Sequence, residues 1–311
     1  MPFFWQRPRP MHLGRFPMEK IKRVSETTTK ITDNVPRMPK RAHFFQRARF
    51  GDLGPKPQQE VRRFATKYPL SMSMGKVTQT QATVHDGDVA PEKAPLPEDL
   101  HEIAEHIKAT CYFLDADLVG ICEMPDYAWY SHDIDGNPIT AKHKYAIVLL
   151  IDQGFETMEA SSGNDWISGS QSFRAYLKGS TIMCTVASFI RELGYEARAH
   201  TNADSEVLHN PLTMLAGLGE LSRIGEVVLN PFLGPRFKTA VITTNLPMAV
   251  DQPIDFGLQD ICGKCRKCAR ECPAGAISFG DKVMFNGYEM WKPDVEAGTR
   301  YRVTNPNGSA C

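Results

Sequence analysis

A layered fold mixing helices with strands, followed by a short cysteine-bearing module, is what this 311-residue sequence predicts. Three observations carry that expectation. Helix-period and strand-like apolar runs succeed one another from residue 97 to residue 244. Their order is helix, strand, helix, strand, helix, then two strands, which favours an α/β or α+β sandwich. Of eight cysteines, four fall within eleven residues, just after the last of those strands.

The elements follow in order. Residues 1–95 form a basic, proline-rich arm, punctuated by Pro8, Pro10, Pro17, Pro36, Pro39, Pro55 and Pro57 and expected to be irregular. Residues 1–70 hold sixteen Lys and Arg against five Asp and Glu, a balance of +11 in a chain of zero net charge. The remainder therefore carries −11, and the arm is expected to wrap an acidic body. Phe44, Phe45 and Phe50 are its anchors. Nucleic acid is an unlikely partner by this reading, because no recognition motif accompanies the charge.

The body spans 96–250. Leu100, Ile103, Ala104 and Ile107 recur at helical spacing and predict a helix over 97–110. Asp115 to Cys122 is a helix-to-strand entry, Asp135-Gly136-Asn137-Pro138 a turn, and His143 to Ile151 a buried strand. Ser170 to Leu193 is the strongest helix. Ile182, Ala187, Phe189 and Ile190 give its apolar face, and Gly194 its stop. Tyr195–His200 predicts a strand, Met214–Leu221 a short helix, and Glu226–Asn230 and Thr239–Thr244 two strands. The longest apolar run, Ala146–Ile151, is too short to span a membrane. Arg62-Arg63-Phe64 superficially resembles an export signal, but Lys67, Tyr68 and Pro69 stand where an apolar stretch is needed.

Residues 251–311 carry the chemistry that the sequence states most directly. Cys262, Cys265, Cys268 and Cys272-Pro273 follow a C-x2-C-x2-C-x3-C-P spacing. That spacing fits the thiolates of a [4Fe-4S] cluster, with the fourth cysteine serving a second cluster. Structural zinc sites instead pair two C-x-x-C knuckles across a longer loop. A ferredoxin-like module with two [4Fe-4S] clusters is the expectation. The partner motif is expected to begin at Cys311, with its remaining cysteines beyond it. Cys111, Cys122 and Cys184 sit in apolar contexts as small buried hydrophobes. Thiols kept free for iron point to a reducing compartment, the cytoplasm.

One resemblance adds a function. Ser172-Phe-Arg-Ala-Tyr176, Ala187 to Ala197, Ala216 to Gly225, Gly234-Pro-Arg-Phe-Lys238, Asn245-Leu-Pro247 and the cysteine motif through Ile277 together resemble the reductive dehalogenases. These pieces cover about a third of the chain, in the family's order. The resemblance implies a nitroreductase-like core that binds cobalamin beside two [4Fe-4S] clusters. It implies Tyr176 as proton donor, Lys238 as its cationic partner and Asn202 as a lining residue of the substrate pocket. Positive charge beside a tyrosine favours its phenolate. Arg236 competes with Lys238, since residues two apart on a strand share a face. The implied partners are a small haloaromatic of the halophenol kind and an external reductase or ferredoxin donor. No Asp-x-His-x-x-Gly cobalamin motif is present, so the corrinoid rests on the resemblance alone. Two other readings stand beside it. One is an enzyme like epoxyqueuosine reductase, acting on a tRNA base; the other is a non-catalytic two-cluster electron carrier.

Overall fold

The computed structural model describes residues 9–66, 68–161 and 167–306. Its centre is a four-stranded sheet of β1 (Leu118–Glu123), β2 (Tyr145–Asp152), β6 (Phe237–Thr244) and β3 (Ala197–His200), in the order β1-β2-β6-β3. Every pairing is antiparallel, which selects α+β from the two classes that the element order allowed.

The period of two decides what each face meets. Val119, Ile121, Ile147, Leu149, Ile151, Ala240 and Ile242 face one core, beneath α4 (Leu100–Phe113) and α6 (Ser168–Glu192). Leu118, Cys122, Ala146, Val148, Leu150 and Val241 face a second core with Trp129, Leu212 and Leu218. Burying each large aliphatic chain contributes roughly 1.5–3 kcal/mol, so the doubly covered sheet is the rigid platform of the molecule. Asp99 caps α4, accepting from the His101 amide at 2.8 Å. Gly120 in β1 is required by close approach, since a Cβ there would run into the Ala216 carbonyl.

The body helices and strands fall near their expected bounds, with one exception. The Met214–Leu221 stretch is not a single helix. The helix α7 covers His209–Leu215, and Glu220–Leu221 pairs as β4 with β5 (Val228–Leu229). Gly217 lies between them at φ 65°, where a helix cannot continue.

The arm is more regular than its prolines suggest. It forms α1 (Phe44–Arg49), α2 (Pro55–Thr66) and α3 (Pro69–Thr80). Pro55 and Pro69 are the first residues of their helices, where the missing amide costs nothing; both read locally as breakers. α3 packs on α6, with Ser71 and Ser170 hydroxyls 3.0 Å apart and buried. Arm cations meet body carboxylates: Arg15 pairs with Asp117 at 2.7 Å, Lys22 with Asp255 at 2.8 Å and Lys40 with Asp204 at 2.8 Å.

After α5 (Phe155–Ala160) and the sheet come α8 (Leu258–Cys265), α9 (Lys267–Glu271), the hairpin of β7 (Val283–Phe285) and β8 (Tyr288–Met290), and α10 (Val295–Thr304). Among the described residues no helix is long and apolar enough to cross a membrane.

Candidate active site and cysteine module

Unequal strand lengths open the cleft. β6 has eight residues but β3 only four, and their pairing ends at His200 with Val241. The leading half of β6 therefore lacks a partner on that side, and the chain after β3 swings away as a loop. The resulting cleft measures about 710 Å³. Tyr176 from α6, Lys238 from β6 and Asn202 from the loop all line it, so the structure brings together three residues distant in sequence.

Lys238 and Tyr176 face each other directly, the ammonium nitrogen lying 5.3 Å from the ring centroid. Phe173 packs edge-on against the same ring at 6.2 Å. Lys238 and Arg236 differ in their partners. Arg236 precedes the strand and pairs with Asp152 at 3.0 Å. Among the described residues, Lys238 has no carboxylate within ion-pair distance. Its charge is therefore free to act on the Tyr176 ring and on whatever enters the cleft.

The loop bearing Asn202 is tied down at several points. Arg198, the second residue of β3, is buried and pairs with Asp204 at 2.5 Å, Glu206 at 3.2 Å and, from the arm, Asp86. Lys40 takes the other oxygen of Asp204 at 2.8 Å and also lines the cleft. The Glu206 amide donates to His200 Nδ1 at 3.1 Å, and His200 Nε2 lies 2.8 Å from the Thr243 hydroxyl. Burial pushes His200 well below the usual imidazole range, and His143, 2.6 Å from the same hydroxyl, to about 4. His200 is thus a neutral strut between loop and sheet, and His143 a neutral ring on the same threonine of the sheet.

The cysteine segment is less loop-like than its spacing suggests. Cys262 and Cys265 lie on α8, Cys268 on α9 and Cys272 at its end, with Arg266 between the helices at φ 53°. Cys265 is exposed and the other three half-buried. Among the described residues, no three His, Cys, Asp or Glu converge as one metal ion requires. Four thiols at C-x2-C-x2-C-x3-C-P spacing are the soft donor set that [4Fe-4S] clusters take. The Ala276 amide already points at Cys272 Sγ, at 3.3 Å. Cys311 lies outside the described residues.

Two buried charges hold this segment, and reading for chemistry overlooked both. Arg223, 2% exposed, donates to the carbonyls of Cys262 at 2.7 Å and of Ser278 and Gly280 at 2.9 Å, and stacks on Trp291. Glu220 accepts from the Phe256 amide at 2.7 Å and from Thr28 at 2.7 Å, just ahead of α8. Both belong to the Ala216–Gly225 stretch, whose role here is support. Cys111, Cys122 and Cys184 are buried free thiols, and burial pushes the Cys111 thiol up to about 12.

No family model matches the chain. Over 137 residues, 44% of this chain, it is 36% identical to the tetrachloroethene reductive dehalogenase of Dehalobacter restrictus, and the match spans 24% of that protein. Over 98 residues, 32% of this chain and 19% of the relative, it is 39% identical to the tetrachloroethene reductive dehalogenase of Sulfurospirillum multivorans. Over 100 residues, 32% of this chain and 27% of the relative, it is 36% identical to epoxyqueuosine reductase of Francisella cf. novicida. Among solved structures, the catabolic reductive dehalogenase NpRdhA in complex with 3-bromo-4-hydroxybenzoic acid superposes with a TM-score of 0.93 at 55% identity. That likeness covers 97% of this chain and 44% of the solved one. The chain thus spans under half the length of the solved relative and 24% of the first curated one.

Proposed function

We propose, for a chain that belongs to the reductive dehalogenase family, that its cleft removes halide from a small haloaromatic substrate. The observation that carries this reading is Lys238, without a carboxylate partner among the described residues, facing Tyr176 across a cleft that Asn202 also lines. The two other readings are weaker. A bare electron carrier has no use for such a cleft, and the likeness to epoxyqueuosine reductase covers a smaller share of this chain.

Tyr176 is the proton donor in this proposal. Replacing halogen by hydrogen consumes two electrons and one proton, and the phenol delivers the proton to carbon. Lys238 stabilises the phenolate left behind, since a cation beside an anion in a partly dry site favours the charged form. Asn202 orients the substrate by hydrogen bonding. A cleft of about 710 Å³ lies within the range of pockets that enclose whole small ligands. When bound, the corrinoid would supply the electrons that break the carbon–halogen bond, replenished from two [4Fe-4S] clusters. Cys262, Cys265, Cys268, Cys272 and Cys311 would be ligands of those clusters. An external reductase or ferredoxin would feed them, in the reducing cytoplasm that the free thiols suit.

The test uses full-length protein loaded with corrinoid and iron, given a strong reductant and a panel of bromo- and chlorophenols. Halide release on that panel is the expected result. Full cobalt and iron loading with no halide released from any member would overturn the reading.

A further inference from the structure

His209 is a half-buried histidine on the cleft wall to which the mechanism assigns nothing. It begins α7, and both its ring nitrogens are engaged. Nε2 lies 3.2 Å from the Ser205 hydroxyl, and Nδ1 lies 2.9 Å from the Thr239 hydroxyl. The bonds of Ser205 assign the proton to one nitrogen. Ser205 gives its one hydroxyl proton to the Val207 carbonyl at 3.0 Å, so it receives from the histidine. Nε2 is then the donor, and Nδ1 accepts from Thr239. Burial holds the ring at about 4, so it is neutral at ordinary pH.

The partners give this arrangement its meaning. Ser205 belongs to the loop that carries Asn202, and Thr239 follows Lys238 on β6. These are the two walls that part where β3 ends. We propose that His209 is a positioning residue, joining the Asn202 loop to the Lys238 strand and so setting the width of the cleft between them. It touches neither Tyr176 nor the reacting atoms; it acts through the two walls. This inference rests on the cleft being the substrate site.

A strut differs from an ordinary buried polar group in one measurable way: it works only when both ends are attached. Ser205→Ala and Thr239→Val each release one end; Ser205→Ala also removes the hydroxyl's bonds with the Val207 backbone, so Val207→Ala, which keeps those bonds and the strut, and the melting temperature of each variant serve as controls. The activity test uses loaded full-length protein and the same halophenol. Each variant that releases one end is expected to lower kcat/KM roughly tenfold to a hundredfold, the scale of a small misplacement of reacting groups. The double variant is expected to fall no further than the worse single one, because the second end is already free. Losses that multiply would mean two independent structural bonds and would overturn the proposal.

A second arm does not depend on dehalogenation. In protein carrying ¹⁵N-labelled histidine, with His209→Gln used to assign the resonance, His209 is expected to show the Nε2–H tautomer at pH 7. In Ser205→Ala that tautomer preference should weaken. An Nδ1–H or charged ring would overturn the arrangement whatever the enzyme does. The expected tautomer with no halide release from wild type would point instead to failure of the dehalogenase reading.

Discussion

Cys262, Cys265, Cys268 and Cys272 occupy eleven consecutive residues, whereas Tyr176, Lys238 and Asn202 come from a helix, a strand and a loop. The two regions also differ in what holds them. The cysteine helices are short and largely at the surface, and one buried guanidinium, Arg223, ties the Cys262 carbonyl of the first to the Ser278 and Gly280 carbonyls that follow the second. The cleft is framed by the doubly covered sheet, with its loop tied by Arg198, His200 and His209. A local motif thus depends on two remote charges, Arg223 and Glu220, while a dispersed site depends on many shared bonds. The first should fail abruptly in structure, and the second should lose chemistry while keeping its fold.

Tyr176→Phe is the strongest test of that contrast on the cleft side. Losing a positioned proton donor typically costs roughly a hundredfold to ten-thousandfold in rate. The hydroxyl makes no hydrogen bond among the described residues that the fold would miss, so iron content, corrinoid content and melting temperature should match wild type. Near-normal turnover in this variant would remove Tyr176 from the proposed mechanism.

On the other side, Arg223→Leu should damage structure first. It strands the carbonyls of Cys262, Ser278 and Gly280 in a buried setting, at a cost of about 3 kcal/mol. Iron bound per chain should fall with it. Full iron loading and a denaturation midpoint like wild type would show that the cysteine helices hold themselves.

These two residues also mark what the sequence disclosed. The sheet strands and α6 were legible because apolar period and burial agree there, as in the unbroken run Ala146–Ile151. The cysteines were legible because iron chemistry demands contiguous spacing. Tyr176 and Lys238 were visible only through a resemblance, since nothing local distinguishes a catalytic tyrosine from a packing one. Nothing local in the Ala216–Gly225 stretch marks Arg223 and Glu220 as supports; their partners lie 36 to 192 residues away, which makes their role a tertiary fact. The arm helices were missed because proline punctuates a chain in the same way whether it ends a helix or starts one, as at Pro55 and Pro69.

The neutral histidines beside the cleft and under the sheet make a prediction about pH. His143 and His209 sit near 4 in the folded chain, against about 6.5 when unfolded. Between those values the unfolded chain binds more protons, so stability is full above pH 6.5 and declines as pH falls toward 4. Each ring contributes on the order of 3 kcal/mol at the acid end. Urea midpoints at pH 7, 5.5 and 4.5 should therefore fall, and His209→Gln should flatten the decline. A wild-type midpoint constant across that range would mean the rings are not held neutral.

The smallest effect belongs to the cations around the cysteines. Lys264 pairs with Asp260 one helical turn away at 2.6 Å, with both side chains at least 70% exposed. An exposed pair of this kind contributes roughly 0–1 kcal/mol, and salt screens its field within about 8 Å. Lys264→Ala should leave the denaturation midpoint and iron content within error of wild type. The reduction behaviour of a reconstituted cluster should likewise be unchanged at physiological salt. A clear shift in that behaviour, present at low salt and lost at high salt, would show that the surface lysine acts on the cluster as well as on Asp260. The cysteine segment would then share the distributed support that distinguishes the cleft.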